Sequence, residues 1–262
     1  KYDSYDFPAF VYASKPLLAN LKSLKDCQVT FLDGNMVVKV AGLNFNVTAW
    51  EELYILNEVF VDGVYNYVSS KEYVLIDIGM NVATTSLFFA SKSNCLNVFA
   101  FEPFDHTIKH AANNLQLNPL YSDKIRISNV ALGFPARTIE VEYAPKYKGS
   151  VGIKGTGSHI KDKGLLVSSK MVVEDVADHF TRILNSISVA AVVKIDCEGA
   201  EYAILGRLHD SGILSDDKIK CLMIEWHYDG PGPLESILNR HGFQVISLNP
   251  NDKTIGMLYA CK

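Results

Sequence analysis

The sequence predicts an α/β fold built on a mostly parallel sheet with an antiparallel end. Three observations carry this. Short, partly β-branched apolar runs such as Val74-Leu75-Ile76 and Val98-Phe99-Ala100-Phe101 read as strands buried on both faces. These runs alternate with segments of helical periodicity, as in successive βαβ units. The chain then closes on two strand-like runs, Phe243 to Leu248 and Thr254 to Ala260, with only a turn between them, so that edge is antiparallel.

Taken in order, Leu17, Leu18, Leu21 and Leu24 mark an N-terminal helix. Cys27 to Thr48 alternates around the turns Asp33-Gly34-Asn35 and Ala41-Gly42, which predicts two hairpins in a small antiparallel extension. Ala49 to Val61 is helical, with Leu53, Leu56 and Phe60 on one face. Val74 to Ile78 is a strand, and Thr84, Thr85 and Ser86 offer capping hydroxyls to the adjoining helix. The next strand, Val98 to Phe101, leads to a helix from Phe104 to Leu117 that stops at Asn118-Pro119. Ile125 to Leu132 is expected to be the third strand, and Thr138 to Tyr143 part of an inserted hairpin. Residues 144–170 are rich in glycine and lysine. They read as a lid whose lysines favour an anionic substrate group, or equally as a solvated loop. Helix Val172 to Asn185, strand Ala190 to Asp196, helix Ala200 to His209, strand Ile219 to Trp226 and helix Gly232 to His241 complete the alternation.

Composition narrows the class. A chain of 262 residues suffices for one large domain, or a domain plus an extension. Apolar residues make up 48% and charged residues 21%, an ordinary globular balance. The net charge of -4 argues against nucleic acid as the main partner. No apolar run reaches the roughly 20 residues that span a bilayer, and no signal-peptide pattern opens the chain. A cytoplasmic protein with no membrane partner is therefore expected. The five cysteines are scattered without a CxxC pair and predict neither a zinc site nor a disulfide framework. The sequon Asn46-Val47-Thr48 reads as a chance match.

Two strand ends carry the chemistry. The first strand ends in Asp77-Ile78-Gly79-Met80-Asn81, a tight turn in which Gly79 permits close backbone approach. GxGxxG is absent, so this is no pyrophosphate cradle. The second strand ends in Glu102-Pro103, 25 positions after Asp77 and close to the roughly 20 at which a carboxylate reaches a ribose. Pro103 stops the strand there. Together they describe a pocket for an adenosine-like ligand without phosphates. The plainer alternatives are an ordinary βα turn and a solvated strand-end acid.

These residues, with Ala100-Phe101-Glu102-Pro103 and the block Val193-Lys194-Ile195-Asp196-Cys197-Glu198-Gly199-Ala200-Glu201, resemble the FkbM-type S-adenosylmethionine-dependent methyltransferases. Asn114-Leu115, Leu117-Asn118, Asn129-Val130-Ala131-Leu132-Gly133 and Ile224-Glu225 echo the same family, and the resemblance covers roughly Glu51 to Trp226. Two departures are Phe134, where the family usually has aspartate, and Val173-Glu174-Asp175, in place of its Leu-Asp-Asp helix start. The resemblance implies a Rossmann-like class I methyltransferase fold with seven main strands. The extension would occupy residues 1–62 and the catalytic domain 63–262, with 144–170 inserted. It also implies S-adenosylmethionine as cofactor. Asp77, Gly79 and Asn81 would line its methionine and ribose side, Glu102 and Pro103 the ribose, Asn129, Val130 and Ala131 the adenine, and Asp196 the methyl group.

The acceptor implied is a hydroxyl of a sugar or natural product, which needs a base or a cation to lose its proton. Lys194 and Asp196 share a strand face, so they form either an orienting pair or a buried structural one. His227 is a candidate base and His159 a weaker one. Asp196, Glu225 and His227 are the candidates for a divalent metal, which nothing else indicates. The rivals are a nicotinamide-dependent oxidoreductase and a non-catalytic ligand-binding module. An N-methyltransferase is disfavoured because no Asn/Asp-Pro-Pro-Tyr motif comes after Val193. Self-association remains open.

Overall fold

The computed structural model describes residues 9–32, 35–143, 151–152, 155–156 and 166–262. It opens with α1 (Ala9–Ala13), α2 (Lys15–Lys22) and an antiparallel sheet of β1 (Gln28–Leu32), β2 (Asn35–Val40) and β3 (Leu43–Val47). Met36, Val38 and Val40 turn inward at period two and meet Leu21, Phe45 and Leu56 in a small core. Asp33 and Gly34 of the expected first turn lie outside the described residues. The next helix, α3 (Trp50–Asn57), runs into a π-helical turn, Glu58–Asp62, that closes on Gly63 at φ +66°. Asparagines stitch this N-terminal layer to the rest of the fold. The Asn44 and Asn46 N–H groups each donate to one, Asn118 Oδ1 and Asn114 Oδ1, at 2.9 Å.

The remaining elements are β4 (Tyr73–Ile78), α4 (Thr84–Ala90), β5 (Cys95–Phe101), α5 (Asp105–Gln116), α6 (Pro119–Ser122) and β6 (Ile125–Ser128). After them come β7 (Ala131–Gly133), β8 (Arg137–Tyr143), the short β9 (Val151–Gly152) and β10 (Gly155–Thr156), and β11 (Val167–Asp175). The last stretch holds α7 (Val176–Ser186), β12 (Ala190–Ile195), α8 (Glu201–Asp210), β13 (Ile219–His227), α9 (Gly232–Arg240), β14 (Gln244–Leu248) and β15 (Ile255–Cys261). One seven-stranded sheet, ordered β14-β15-β13-β12-β4-β5-β6, forms the centre. β15 runs against both neighbours and the other pairs are parallel, so the expected parallel sheet with an antiparallel end is present. Val193 and Ile195 face a core under α7, α8 and α9, while Leu75 and Val192 face the opposite layer. This is the Rossmann-like methyltransferase layout. Among the described residues no helix is long and apolar enough to cross a membrane.

Three local expectations fail for physical reasons, and a fourth falls mostly outside the described residues. The third strand stops at Ser128, and β7 leaves for a separate sheet ordered β7-β11-β8. The helix expected from Val172 begins only at Val176. Met171 and Val173 are buried between more exposed neighbours, a strand period, and the Asp175 carboxylate caps the helix by accepting the Ala177 N–H at 2.9 Å. Val167–Lys170 belong to β11, whereas most of 144–165 lies outside the described residues, His159 and five of the six loop lysines included. Finally, no hydroxyl caps α4. Its N-cap is Ala83 at φ +68°, and Ser86 Oγ instead donates to Asp77 at 2.6 Å.

Candidate active site

β4 lies between β5 and β12, where the strand order reverses and a crevice opens at the carboxyl ends. Gly79 sits there at φ +82°. A Cβ would fall 1.7 Å from the Asp196 carbonyl oxygen, so the glycine lets two strand-end loops touch. Next to it Asn81 is held at φ +54°, and its N–H donates to Glu102 Oε2 at 3.1 Å. The Phe104 N–H donates to Glu102 Oε1 at 3.1 Å, which fixes the carboxylate plane. Glu102 is 6% exposed, and burial pushes its pKa up to about 7 against the pull of those two N–H groups. The cavity beside it is lined by Ile78, Phe101, Val130, Leu132, Met171 and Val173, with Pro103, Ala131 and Asp196 at its edges. Asn81 also lines it, and the buried Asn81 Oδ1 has no hydrogen-bond partner among the described residues. Asn129 is turned away, its amide donating to the Asp105 carboxylate.

Behind this wall lies an ionic core. The Lys194 ammonium is 3.3 Å from Asp77 Oδ1 and 3.4 Å from Asp196 Oδ2, and it donates to the Gly79 carbonyl at 2.6 Å. Burial disfavours the Lys194 charge, but Asp77 and then Asp196 outweigh it and raise its pKa. Asp77 is wholly buried and does not reach the cavity, so its place is under the turn rather than in the pocket. The pair expected from spacing is a triad.

Around Asp196 other carboxylates gather, Glu198 among them on the cavity wall. The Tyr65 hydroxyl is 3.0 Å from Asp196 Oδ2 and 3.1 Å from Glu225 Oε2. One hydroxyl proton lies between the two carboxylates. Burial and then the Asp196 charge push the pKa of Glu225 up to about 8, which favours its protonated form near neutral pH. Burial likewise lifts Glu198, at φ +53°, to about 8, and Glu58 of the π-helical turn to about 7. Burial opposes a charge on His227, yet the hydrogen bond from Nδ1 to Glu201 Oε1 at 3.0 Å lifts it to about 9. Its Nε2 lies 3.8 Å from Glu198 and 4.0 Å from Glu225. The hydrogen bond to Glu201 therefore favours a protonated His227 near neutral pH, unlike the free base expected from its type. Glu201 also accepts the Cys197 and Gly199 N–H groups at 3.1 Å, shaping the loop after β12. Among the described residues no group of three or more His, Cys, Asp or Glu side chains is arranged to hold a metal ion. Tyr65, Glu58 and Glu201 do not stand out in the sequence as site residues. Only Glu201, inside the Asp-Cys-Glu-Gly-Ala-Glu block, carries a signal that could have found it.

The methyltransferase FkbM domain model matches residues 77–245. Among curated proteins, the AMB antimetabolite synthetase AmbE of Pseudomonas aeruginosa is 24% identical over 245 residues. That match takes in 79% of this chain, which spans 11% of the synthetase's length. Among solved structures, the FkbM methyltransferase of Methylobacillus flagellatus is similar at 16% identity and a TM-score of 0.46, over 77% of this chain and 46% of that one. The N-terminal domain of human METTL16, solved with S-adenosylhomocysteine, is similar at 15% identity and a TM-score of 0.41, over 97% and 94%. With a family model matching well over half of its length, and with a Rossmann-like sheet beneath it, the chain belongs to the FkbM methyltransferase family.

Proposed function

We propose that the protein transfers a methyl group from S-adenosylmethionine to the oxygen of a small-molecule hydroxyl, on a sugar or natural product. One observation carries the cofactor half: a buried carboxylate, Glu102, pinned by two backbone N–H groups at the mouth of an apolar cavity. Such a carboxylate accepts both hydroxyls of a ribose, while Val130, Leu132 and Met171 supply an apolar slot for a purine. The unpartnered Asn81 Oδ1 offers an acceptor to the amino acid end. The residues fit the cofactor, which supplies an activated methyl group on a sulfonium.

The chain's own task is to orient the acceptor, exclude water and take a proton. Asp196 is among the residues that line the cavity, and its carboxylate touches Tyr65 and Lys194. It takes the acceptor proton, and Tyr65 connects it to Glu225. His227, a positive charge, is balanced by the Glu201 carboxylate that it touches. Glu58, Glu198 and Glu225, with pKa values raised to about 7–8, can offer hydrogen bonds to a neutral acceptor. The relative's name, an antimetabolite synthetase, supports a small-molecule acceptor.

Calorimetry on the purified protein with S-adenosylhomocysteine and, separately, NAD tests this. A micromolar signal for the first, about -8 kcal/mol, and none for NAD is expected. Binding of NAD alone would favour an oxidoreductase. Tight S-adenosylhomocysteine binding without turnover on hydroxylated acceptors would favour the non-catalytic module.

A further inference from the structure

The five cysteines lie far apart in sequence, yet the antiparallel return of β15 brings two of them face to face. Cys221 and Cys261 are direct cross-strand partners. Their neighbours Lys220 and Lys262 are a hydrogen-bonded pair, with the Lys262 N–H donating to the Lys220 carbonyl at 2.9 Å. Hydrogen-bonded and non-hydrogen-bonded pairs alternate along an antiparallel ladder, so Cys221 and Cys261 occupy the non-hydrogen-bonded kind. There the Cα atoms approach to about 4.5 Å, inside the range of about 4.4–6.8 Å that a disulfide spans. The two sulfurs share a hydrogen bond at 2.9 Å. Cys261 is exposed and Cys221 is buried. One thiol thus meets solvent while the other waits behind it.

From this arrangement we infer that Cys221 and Cys261 are a reversible dithiol–disulfide site, closed by exchange with a small-molecule disulfide such as oxidised glutathione. The Cys261 thiolate attacks one sulfur of the co-reactant, expels one thiolate and forms a mixed disulfide. Cys221 gives up its proton and attacks the Cys261 sulfur, expelling the second thiolate. The protein loses two protons and two electrons in all, and the co-reactant leaves as two thiols. The hydrogen bond between the sulfurs lowers the pKa of Cys261 and raises that of Cys221, which orders the two steps. The bond would staple β15 to β13 at the end opposite Glu225 and His227, closing a long loop that contains α9 and β14. The inference is independent of the cofactor reading.

The test equilibrates the full chain in glutathione buffers of graded ratio, quenches with acid, denatures it and alkylates the remaining thiols. The reduced protein takes up five labels, one for each cysteine. Under oxidising buffer the count should fall to three. Peptide mapping should then show a single Cys221–Cys261 linkage, reversed by dithiothreitol. The thermal midpoint should rise on oxidation and return on reduction. Cys261→Ser changes an exposed side chain and should abolish the shift without disturbing the fold, which covers the case in which Cys221→Ser does not fold. Five labels in the most oxidising buffer would overturn the inference. So would a linkage to another cysteine, or glutathione left on Cys261 as the end product.

Discussion

Of the glutamates on the cavity wall, Glu102 is anchored by the main chain, taking one N–H from Asn81 and one from Phe104. Glu198, also on that wall, and Glu225 are held by side chains: both lie near His227, and Glu225 meets the Tyr65 hydroxyl, with Glu58 close enough to bear on its charge. Backbone anchoring fixes the position of the Glu102 carboxylate. Side-chain anchoring makes the second group responsive to protonation, since three acids and an imidazole there titrate near or above neutrality. The same fold thus holds one acid through the backbone and the others through side chains. Lys194 underlies both.

The largest effect should come from removing that shared support. Lys194→Met leaves Asp77 buried without its cation, at a cost of about 3–5 kcal/mol in urea unfolding. Gly79→Ala should be of similar size, since a left-handed φ and the Asp196 carbonyl both oppose a side chain. A destabilisation below about 1 kcal/mol in either would mean that the two halves do not depend on this junction.

Next in size, Glu102→Ala should weaken S-adenosylhomocysteine binding by about 2–3 kcal/mol. The effect should be confined to the cofactor half, with turnover falling only through cofactor occupancy.

The pH response runs across both groups of acids. Glu58, Glu102 and Glu198 have folded pKa values raised to about 7–8, and His227 to about 9. The folded chain therefore binds more protons than the unfolded chain as pH rises from about 5 to 9. The stability these groups contribute is fully present below their unfolded pKa values and is lost as pH passes through the folded ones. The thermal midpoint should fall over that window. Glu225→Gln keeps a partner for Tyr65 and should make the fall shallower, a difference of about 1 kcal/mol at its upper end. A midpoint that rises with pH would contradict the assignment of protonated acids around Tyr65. Asn129→Ala, which loses only its contact with Asp105, should leave cofactor affinity within about 0.5 kcal/mol.

What the sequence reveals splits along the same divide. Gly79 and Glu102 are legible because each sits at the end of an apolar run at a spacing set by one βα unit. Tyr65 is not, since it meets Asp196 from 131 positions away, and nothing local to Val64-Tyr65-Asn66 marks it. Local sequence also misleads. Val172-Val173 reads as a helix start until its pairing with β8 and β7 makes it a strand. Asp77 looks like a pocket residue by position, but burial and Lys194 place it beneath the floor. The cysteine pair is invisible for the reason Tyr65 is: its two members meet only because β15 folds back on β13.

The most direct test of the divide is calorimetry with S-adenosylhomocysteine on the wild type, Glu102→Ala and Glu225→Gln at one pH. Equal affinity for the wild type and Glu225→Gln, with about a hundredfold loss in Glu102→Ala, is the predicted result. Binding by Glu102→Ala at wild-type strength, or an equal loss in Glu225→Gln, would contradict it and merge the two halves into one site.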